Sequence, residues 1–261
     1  MLKQTFLHVP GVGSRTEQRL WNCGIRNWED ALEMPRDAPI SPRTRAKLET
    51  ELPRSAASLA AGDAAYFAGL SRYGEAWRLY GEFASSCLYL DIETNGGWGE
   101  EEQLTVVGVS DGEGYTAYIA DENLEELPDR VAQAKILVTF NGANFDVPAL
   151  RRLFRRCRLP RAHIDLRFAG QKAGLRGGLK KIEEELGLER LEAIRGLDGW
   201  DAVRLWNEYL RGSQDALQQL IAYNRADVEN LKPLMEWTYQ TLRRARGHGT
   251  STAGRALHAT V

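Results

Sequence analysis

The segment Cys87-Leu-Tyr-Leu-Asp-Ile-Glu93 constrains this chain more than any other. A short run of Leu, Tyr and Ile reads as a buried β-strand. Yet it carries two carboxylates, Asp91 and Glu93, and a strand's period of two puts both on one face. Neighbouring acids repel each other and are costly to bury unless a cation compensates them. A site made only of carboxylate oxygens suits hard divalent ions such as Mg²⁺ or Mn²⁺. The alternative is a strand end whose charges emerge into solvent, and the two acids alone do not decide between them.

The surrounding pattern predicts where such a strand would sit. Residues 104–110 and 115–120 read as two further strands, joined by the turn Asp111-Gly-Glu-Gly114. Residues 124–134 read as a helix, 135–140 as a fourth strand, 146–156 as a helix and 163–166 as a fifth strand. Residues 179–186, 202–210 and 213–242 read as helices. A strand meander followed by alternating helix and strand predicts an α/β fold with a mixed sheet flanked by helices.

Two more acids fall at informative places. Asn141-Gly-Ala-Asn-Phe-Asp146 leaves the fourth strand and opens a helix, where open α/β sheets gather ligands. By itself Asp146 also suits a helix cap. Tyr223-Asn-Arg-Ala-Asp227 lies within the last helix, and its i, i+4 spacing puts Tyr223 and Asp227 on one face. The plainer reading is an exposed aspartate and a packing tyrosine.

Upstream, Ser14 can cap a first helix with Glu17 at capping-box spacing, and a second short helix begins near Trp28. A long helix over 57–86 would carry a packing stripe of Tyr66, Phe67, Leu70, Tyr73, Trp77, Tyr80 and Phe83. Residues 243–261 are rich in Gly, Ser, Thr, Ala and Arg without periodicity and are expected to be disordered. The expected division is an N-terminal module over 1–55, a connecting helix over 56–86, a sheet domain over 87–242 and the tail.

A formal net charge of −2 argues against a protein held on nucleic acid by bulk charge, so the distribution carries the information. Acids dominate between Asp91 and Asp146. Arg151, Arg152, Arg155, Arg156, Arg158 and Arg161 follow, then Lys172, Arg176, Lys180 and Lys181. That order fits a metal site beside a phosphate track, and fits equally a solvated basic helix face. Cys23, Cys87 and Cys157 are odd in number and form no CxxC pair, so neither a disulfide framework nor a zinc cluster is indicated. No apolar run spans a bilayer and the N-terminus has no secretory apolar core, so the expected location is cytoplasmic.

The three acidic segments, taken in order, resemble the three motifs of the DEDD (DnaQ-like) 3′–5′ exonuclease superfamily, which has an RNase H-like fold. The resemblance covers roughly residues 87–239. The family has a branch with His five positions before the last acid, where this chain has Ala222, and a branch with Tyr four positions before it, where this chain has Tyr223. The chain therefore resembles the tyrosine branch. Gly178-Leu-Lys-Lys-Ile-Glu-Glu-Glu-Leu-Gly187 and the N-terminal module are similar to segments of YprB-type predicted exonucleases of bacteria.

The resemblance implies that Asp91, Glu93, Asp146 and Asp227 hold two ions, Mg²⁺ or Mn²⁺, and that Tyr223 orients the attacking water. It implies a nucleic-acid substrate entering by a single-stranded 3′ end and leaving as nucleoside monophosphates. Thr94, Asn141, Asn144, Phe145, Arg152, Arg156, Lys180 and Lys181 are the candidate substrate contacts, with Phe145 also suited to the core. Asp165 resembles an extra acid of some relatives and is read as supporting structure. Val9-Pro-Gly-Val-Gly13 resembles the hairpin of a helix-hairpin-helix element, which makes Gly11 and Gly13 candidate phosphate contacts; a plain packing module is the other reading. A non-catalytic nucleic-acid-binding protein and a metal-dependent endonuclease on the same fold remain the competing functions.

Overall fold

The computed structural model describes residues 1–97 and 99–247. A 3₁₀ turn (Leu2–Gln4) precedes helices α1 (Ser14–Asn22), α2 (Trp28–Leu32) and α3 (Pro42–Ala60). Ser14 does not cap α1. Gly13 holds that position, and Glu17 turns inward instead, accepting hydrogen bonds from Thr5 Oγ1 at 2.6 Å and Phe6 N at 2.8 Å. The buried amide and hydroxyl of the preceding turn need an acceptor more than the exposed helix start does.

The continuous helix expected over 57–86 is not formed. Helix α3 ends at Ala60, and three 3₁₀ segments (Ala64–Tyr73, Ala76–Leu79 and Ala84–Ser86) with the short α4 (Tyr80–Phe83) complete the connection. Gly62 and Gly74 adopt φ values of +67° and +61° and break it, conformations glycine enters without a Cβ penalty. The aromatic stripe still packs: Phe67, Trp77 and Phe83 are buried.

The sheet contains β1 (Cys87–Thr94), β2 (Leu104–Ser110), β3 (Tyr115–Ile119), β4 (Ile136–Thr139) and β5 (Ala162–Asp165), in the order β3-β2-β1-β4-β5. Strands β1 to β3 form an antiparallel meander, and β4 and β5 run parallel to β1. Helix α5 (Leu127–Ala132) leads into β4, α6 (Asp146–Leu153) follows it, and α7 (Leu166–Lys172) follows β5 without having been anticipated. Then come α8 (Leu179–Leu186), α9 (Gly199–Leu210) and α10 (Gln214–Gly247). Helix α10 runs past the expected tail boundary at 243; residues 248–261 lie outside the described residues.

Alternation along β1 sorts its two faces. Leu88, Leu90 and Ile92 share a core with Val147 and Leu150 of α6, while Cys87 and Tyr89 share one with Val228 and Leu231 of α10. Asp91 and Glu93 continue the Cys87–Tyr89 face and are thereby aimed at α10.

The N-terminal segment shares that second core. Leu2, Phe6, Leu20, Leu48 and Leu52 form one cluster with Phe67, Trp77, Ile136 and Leu234. Buried charges reinforce the joint. Arg78, with no exposed surface, donates from Nε to Glu75 at 2.7 Å and from Nη2 to Glu17 at 3.3 Å. Lys172 and Arg246 donate to the other oxygen of Glu75 at 2.9 and 2.7 Å. The Arg78 and Arg246 guanidinium groups both lie over the Trp21 and Trp77 rings at 5.4 to 5.7 Å.

Candidate metal centre

Three carboxylates meet where β1 passes under α10. Asp91, Glu93 and Asp227 each offer an oxygen within 4.8 Å of the others. Glu93 and Asp227 are buried and Asp91 is half-buried. Asp227 is thus not the exposed helix aspartate of the plainer reading. Two like charges about 4 Å apart cost roughly 4 kcal/mol at the effective dielectric near a protein surface, so the grouping opposes itself.

Asp146 flanks this trio. It is the first residue of α6, with Phe145 at the cap position, and its Oδ1 accepts the amide of Ile92, between the two β1 acids, at 3.2 Å. The loop before it is held from below: Asn141 takes φ +62°, and Asp165 accepts the amides of Asn141 at 2.8 Å and Ala143 at 2.9 Å. Asp165 also accepts the amide of Arg167, so it serves the loop and the start of α7. His163 is bonded to Thr139 at 2.9 Å and belongs to the scaffold.

The electrostatics follow from burial and crowding. Burial, then the charges of Asp227, Asp146 and Glu93, push the Asp91 carboxyl well above its ordinary value; burial, Asp227 and Asp146 do the same to Glu93. Asp146 is pushed up to about 7, chiefly by burial. Asp227 is also raised by burial, with the Arg190 guanidinium opposing. The donor set is all carboxylate oxygen, crowded and short of positive charge, which fits one or more hard divalent cations.

Tyr223, one turn before Asp227, is buried among Leu205, Leu217 and Leu220, and its hydroxyl accepts a hydrogen bond from Lys180 Nζ at 3.2 Å. Burial and then the Asp227, Glu93 and Asp91 charges drive its pKa far above that of a free phenol, so it remains protonated.

Other expected substrate contacts are scattered. Lys180 also donates to the Leu197 carbonyl, while Lys181 is exposed and its stem lies beside Gly177. Phe145 is 44% exposed, which overturns the core alternative, and Asn144 beside it is exposed. Thr94 is half-buried at the end of β1, where a bulge separates it from Glu93. Arg152 and Arg156 are exposed, and Arg152 is engaged with Glu102. In the N-terminal segment Gly11 has φ +82°, with Lys47 reaching the Pro10 carbonyl at 2.8 Å beside it, and Gly13 is half-buried with free space where a Cβ would stand.

Sequence reasoning missed several groups. Asn224 donates to Asp91 Oδ2 at 3.0 Å and accepts from the Tyr115 hydroxyl at 2.9 Å. A Cβ on Gly108, which pairs with Asp91 across the β1–β2 ladder, would overlap Asn224 Oδ1. Arg190 donates to Asp227, and to Glu183 from Nε at 2.6 Å and Nη2 at 2.8 Å. The position of Asn224, three before Asp227, was a usable signal; Arg190 lies in a loop with no pattern to mark it.

A family model described as the RNase H superfamily matches residues 88–239. No curated protein matches the chain. Among solved structures it is similar to the family B DNA polymerase from the hyperthermophilic archaeon Pyrobaculum calidifontis, with a TM-score of 0.48 and 17% identity, covering 57% of this chain and 24% of that one. It is similar to the Aedes aegypti Nibbler EXO domain, with a TM-score of 0.47 and 8% identity, covering 66% and 86%. Brucella melitensis NrnC with bound Mg²⁺ gives a TM-score of 0.45 and 23% identity, covering 64% and 78%. The chain thus spans about a quarter of the polymerase's length.

Proposed function

The chain belongs to the RNase H superfamily, and from that premise we propose that it is a metal-dependent 3′–5′ exonuclease, releasing nucleoside monophosphates from single-stranded 3′ ends of DNA or RNA. One observation carries the reading: Asp91, Glu93 and Asp227 converge under α10, with Asp146 beside them and too little positive charge to match.

In this reading the four carboxylates hold two ions, Mg²⁺ or Mn²⁺. Bound divalent cations supply acidity to the attacking water and offset charge on the leaving 3′-oxygen. The remaining work falls to the chain. Tyr223 stays protonated and spends its hydrogen on orienting a water rather than removing a proton, because a phenol with a raised pKa is a poor base. Lys180, donating to that hydroxyl, fixes its direction. Asn224 steadies Asp91 from the α10 side. Exposed Phe145 and Asn144 offer a face on which a terminal base stacks, worth about 1–3 kcal/mol. Asn141, Thr94, Arg156 and Lys181 are further contacts along the strand. Gly11 and Gly13 are proposed to meet a phosphate through the hairpin, and Arg152 contributes only after leaving Glu102.

The test uses 5′-labelled linear strands and circular strands of DNA and RNA with Mn²⁺. A ladder shortening from the 3′ end, lost in Asp91→Asn, is the expected result. Cleaved circles would mean an endonuclease, and no product from any strand would mean a binding protein without catalysis.

A further inference from the structure

Arg190 touches the metal centre from a direction no expectation covered. Its side chain is 8% exposed, and the guanidinium lies 5.9 Å from the Tyr223 ring centroid. Two of its nitrogens grip Glu183 in a fork, at 2.6 and 2.8 Å, and Nη2 also donates to Asp227 Oδ1. Glu183 is 2% exposed and is itself steadied by Asn230 Nδ2 at 3.0 Å, from the turn of α10 that follows Asp227. The loop between α8 and α9 is therefore tied to α10 at the position of the fourth acid.

Two features separate this from an ordinary buried ion pair. The fork is bidentate, so the guanidinium cannot turn without breaking both bonds to Glu183. And Glu183 offsets part of the Arg190 charge, so the acids stay raised by burial although the guanidinium opposes that rise at Asp227 and Asp91.

We propose that Arg190, braced by Glu183, is a positioning residue for the metal centre: by engaging Asp227 Oδ1 it fixes how this carboxylate is turned toward Asp91 and Glu93. The inference rests on the reading of these acids as cation ligands. Groups that hold a metal-binding side chain from behind are commonly worth about 10–100-fold in metal affinity.

The test measures Mn²⁺ binding in the full chain by the EPR signal of free Mn²⁺, without substrate. Arg190→Gln alone strands a buried Glu183 charge and risks unfolding, so the informative variant is Arg190→Gln with Glu183→Gln, which removes the pair together. It is expected to fold, by circular dichroism, and to bind Mn²⁺ about 10–100-fold more weakly than the unaltered protein. Arg190→Lys provides the second arm: it keeps the charge but loses the fork, and is expected to weaken binding as well. Affinity within about twofold of the unaltered protein in either folded variant, or tighter binding, would overturn the positioning role. If the unaltered protein binds no Mn²⁺, the proposed function fails instead, and the two failures are told apart in one titration.

Discussion

The protein buries charge in two places and resolves it in opposite ways. At the joint between the N-terminal segment and the sheet, Glu17 and Glu75 face Arg78, Lys172 and Arg246, every carboxylate has cationic donors, and two tryptophan rings cover the guanidinium groups. Burial would raise the Glu75 carboxyl, but the cations around it outweigh burial and hold it below its ordinary value. Under α10 the same kinds of residue do the reverse. Asp91, Glu93 and Asp146 are all raised, because burial and mutual repulsion act together. The first cluster matches its carboxylates with cations and holds the fold; the second leaves its acids under-matched, and that is what fits it to bind a cation.

Exchanging a charge in each cluster should separate these roles. The largest effect is expected from Asp91→Asn: hydrolysis falls by on the order of 10³-fold or more, comparable to losing a full element of electrostatic catalysis. Metal-free stability rises, because one repelling charge is gone. Lower activity together with a lower melting temperature in EDTA would break the contrast.

Arg78→Met is the counterpart. Removing one partner of a buried pair costs about 3–5 kcal/mol. At roughly 2–4 °C per kcal/mol for a chain of this size, the melting temperature should drop by about 10 °C, while the specific activity of the folded fraction at low temperature stays near that of the unaltered protein. An unchanged melting curve would show that the joint is not held by these charges.

pH sharpens the distinction further. An acid whose folded pKa lies above its unfolded value keeps its proton longer when folded, so stability is lost as pH rises between the two values. For Asp146 that window runs from 3.8 to about 7. In EDTA the melting temperature should therefore fall across it, and Mn²⁺ should flatten the fall. Glu75 has the opposite sign: its stabilisation is present above the ordinary carboxylate range and is lost only in stronger acid. A melting temperature that climbs from pH 4 to 7 in EDTA would contradict the account of the acidic cluster.

The smallest effects concern Asn224. Gly108→Ala pushes its side chain off Asp91, and overpacking of this kind costs about 1–3 kcal/mol. Tyr115→Phe removes a single hydrogen bond, worth about 0.5–1.5 kcal/mol. Activity assays should rank Gly108→Ala below Tyr115→Phe, and the reverse order would remove Asn224 from the support of Asp91.

Much of the sheet was legible because its strands are short apolar runs bounded by turns. Residues 104–110 and 179–186 match the expected bounds of β2 and α8. The side-by-side position of Asp91 and Glu93 followed from strand periodicity alone, whereas helix spacing only put Asp227 beside Tyr223, and its approach to the strand acids was expected from the motif resemblance. The connection over 57–86 was misread because aromatic spacing cannot register that Gly62 and Gly74 enter positive φ and break the helix. Glu17 was misread because local capping competes with a buried acceptor role that only the fold creates. Arg190 was invisible because it lies in a loop without periodicity, and only the fold brings Asp227, 37 residues on, against it.

The central claim is that Asp91, Glu93, Asp146 and Asp227 share a pair of divalent cations. Crystals soaked in Mn²⁺ and measured at the manganese absorption edge test it most directly. The account predicts two anomalous peaks within bonding distance of these carboxylates, both absent in Asp91→Asn. Density that is empty there, or manganese bound only at other surfaces, would contradict it.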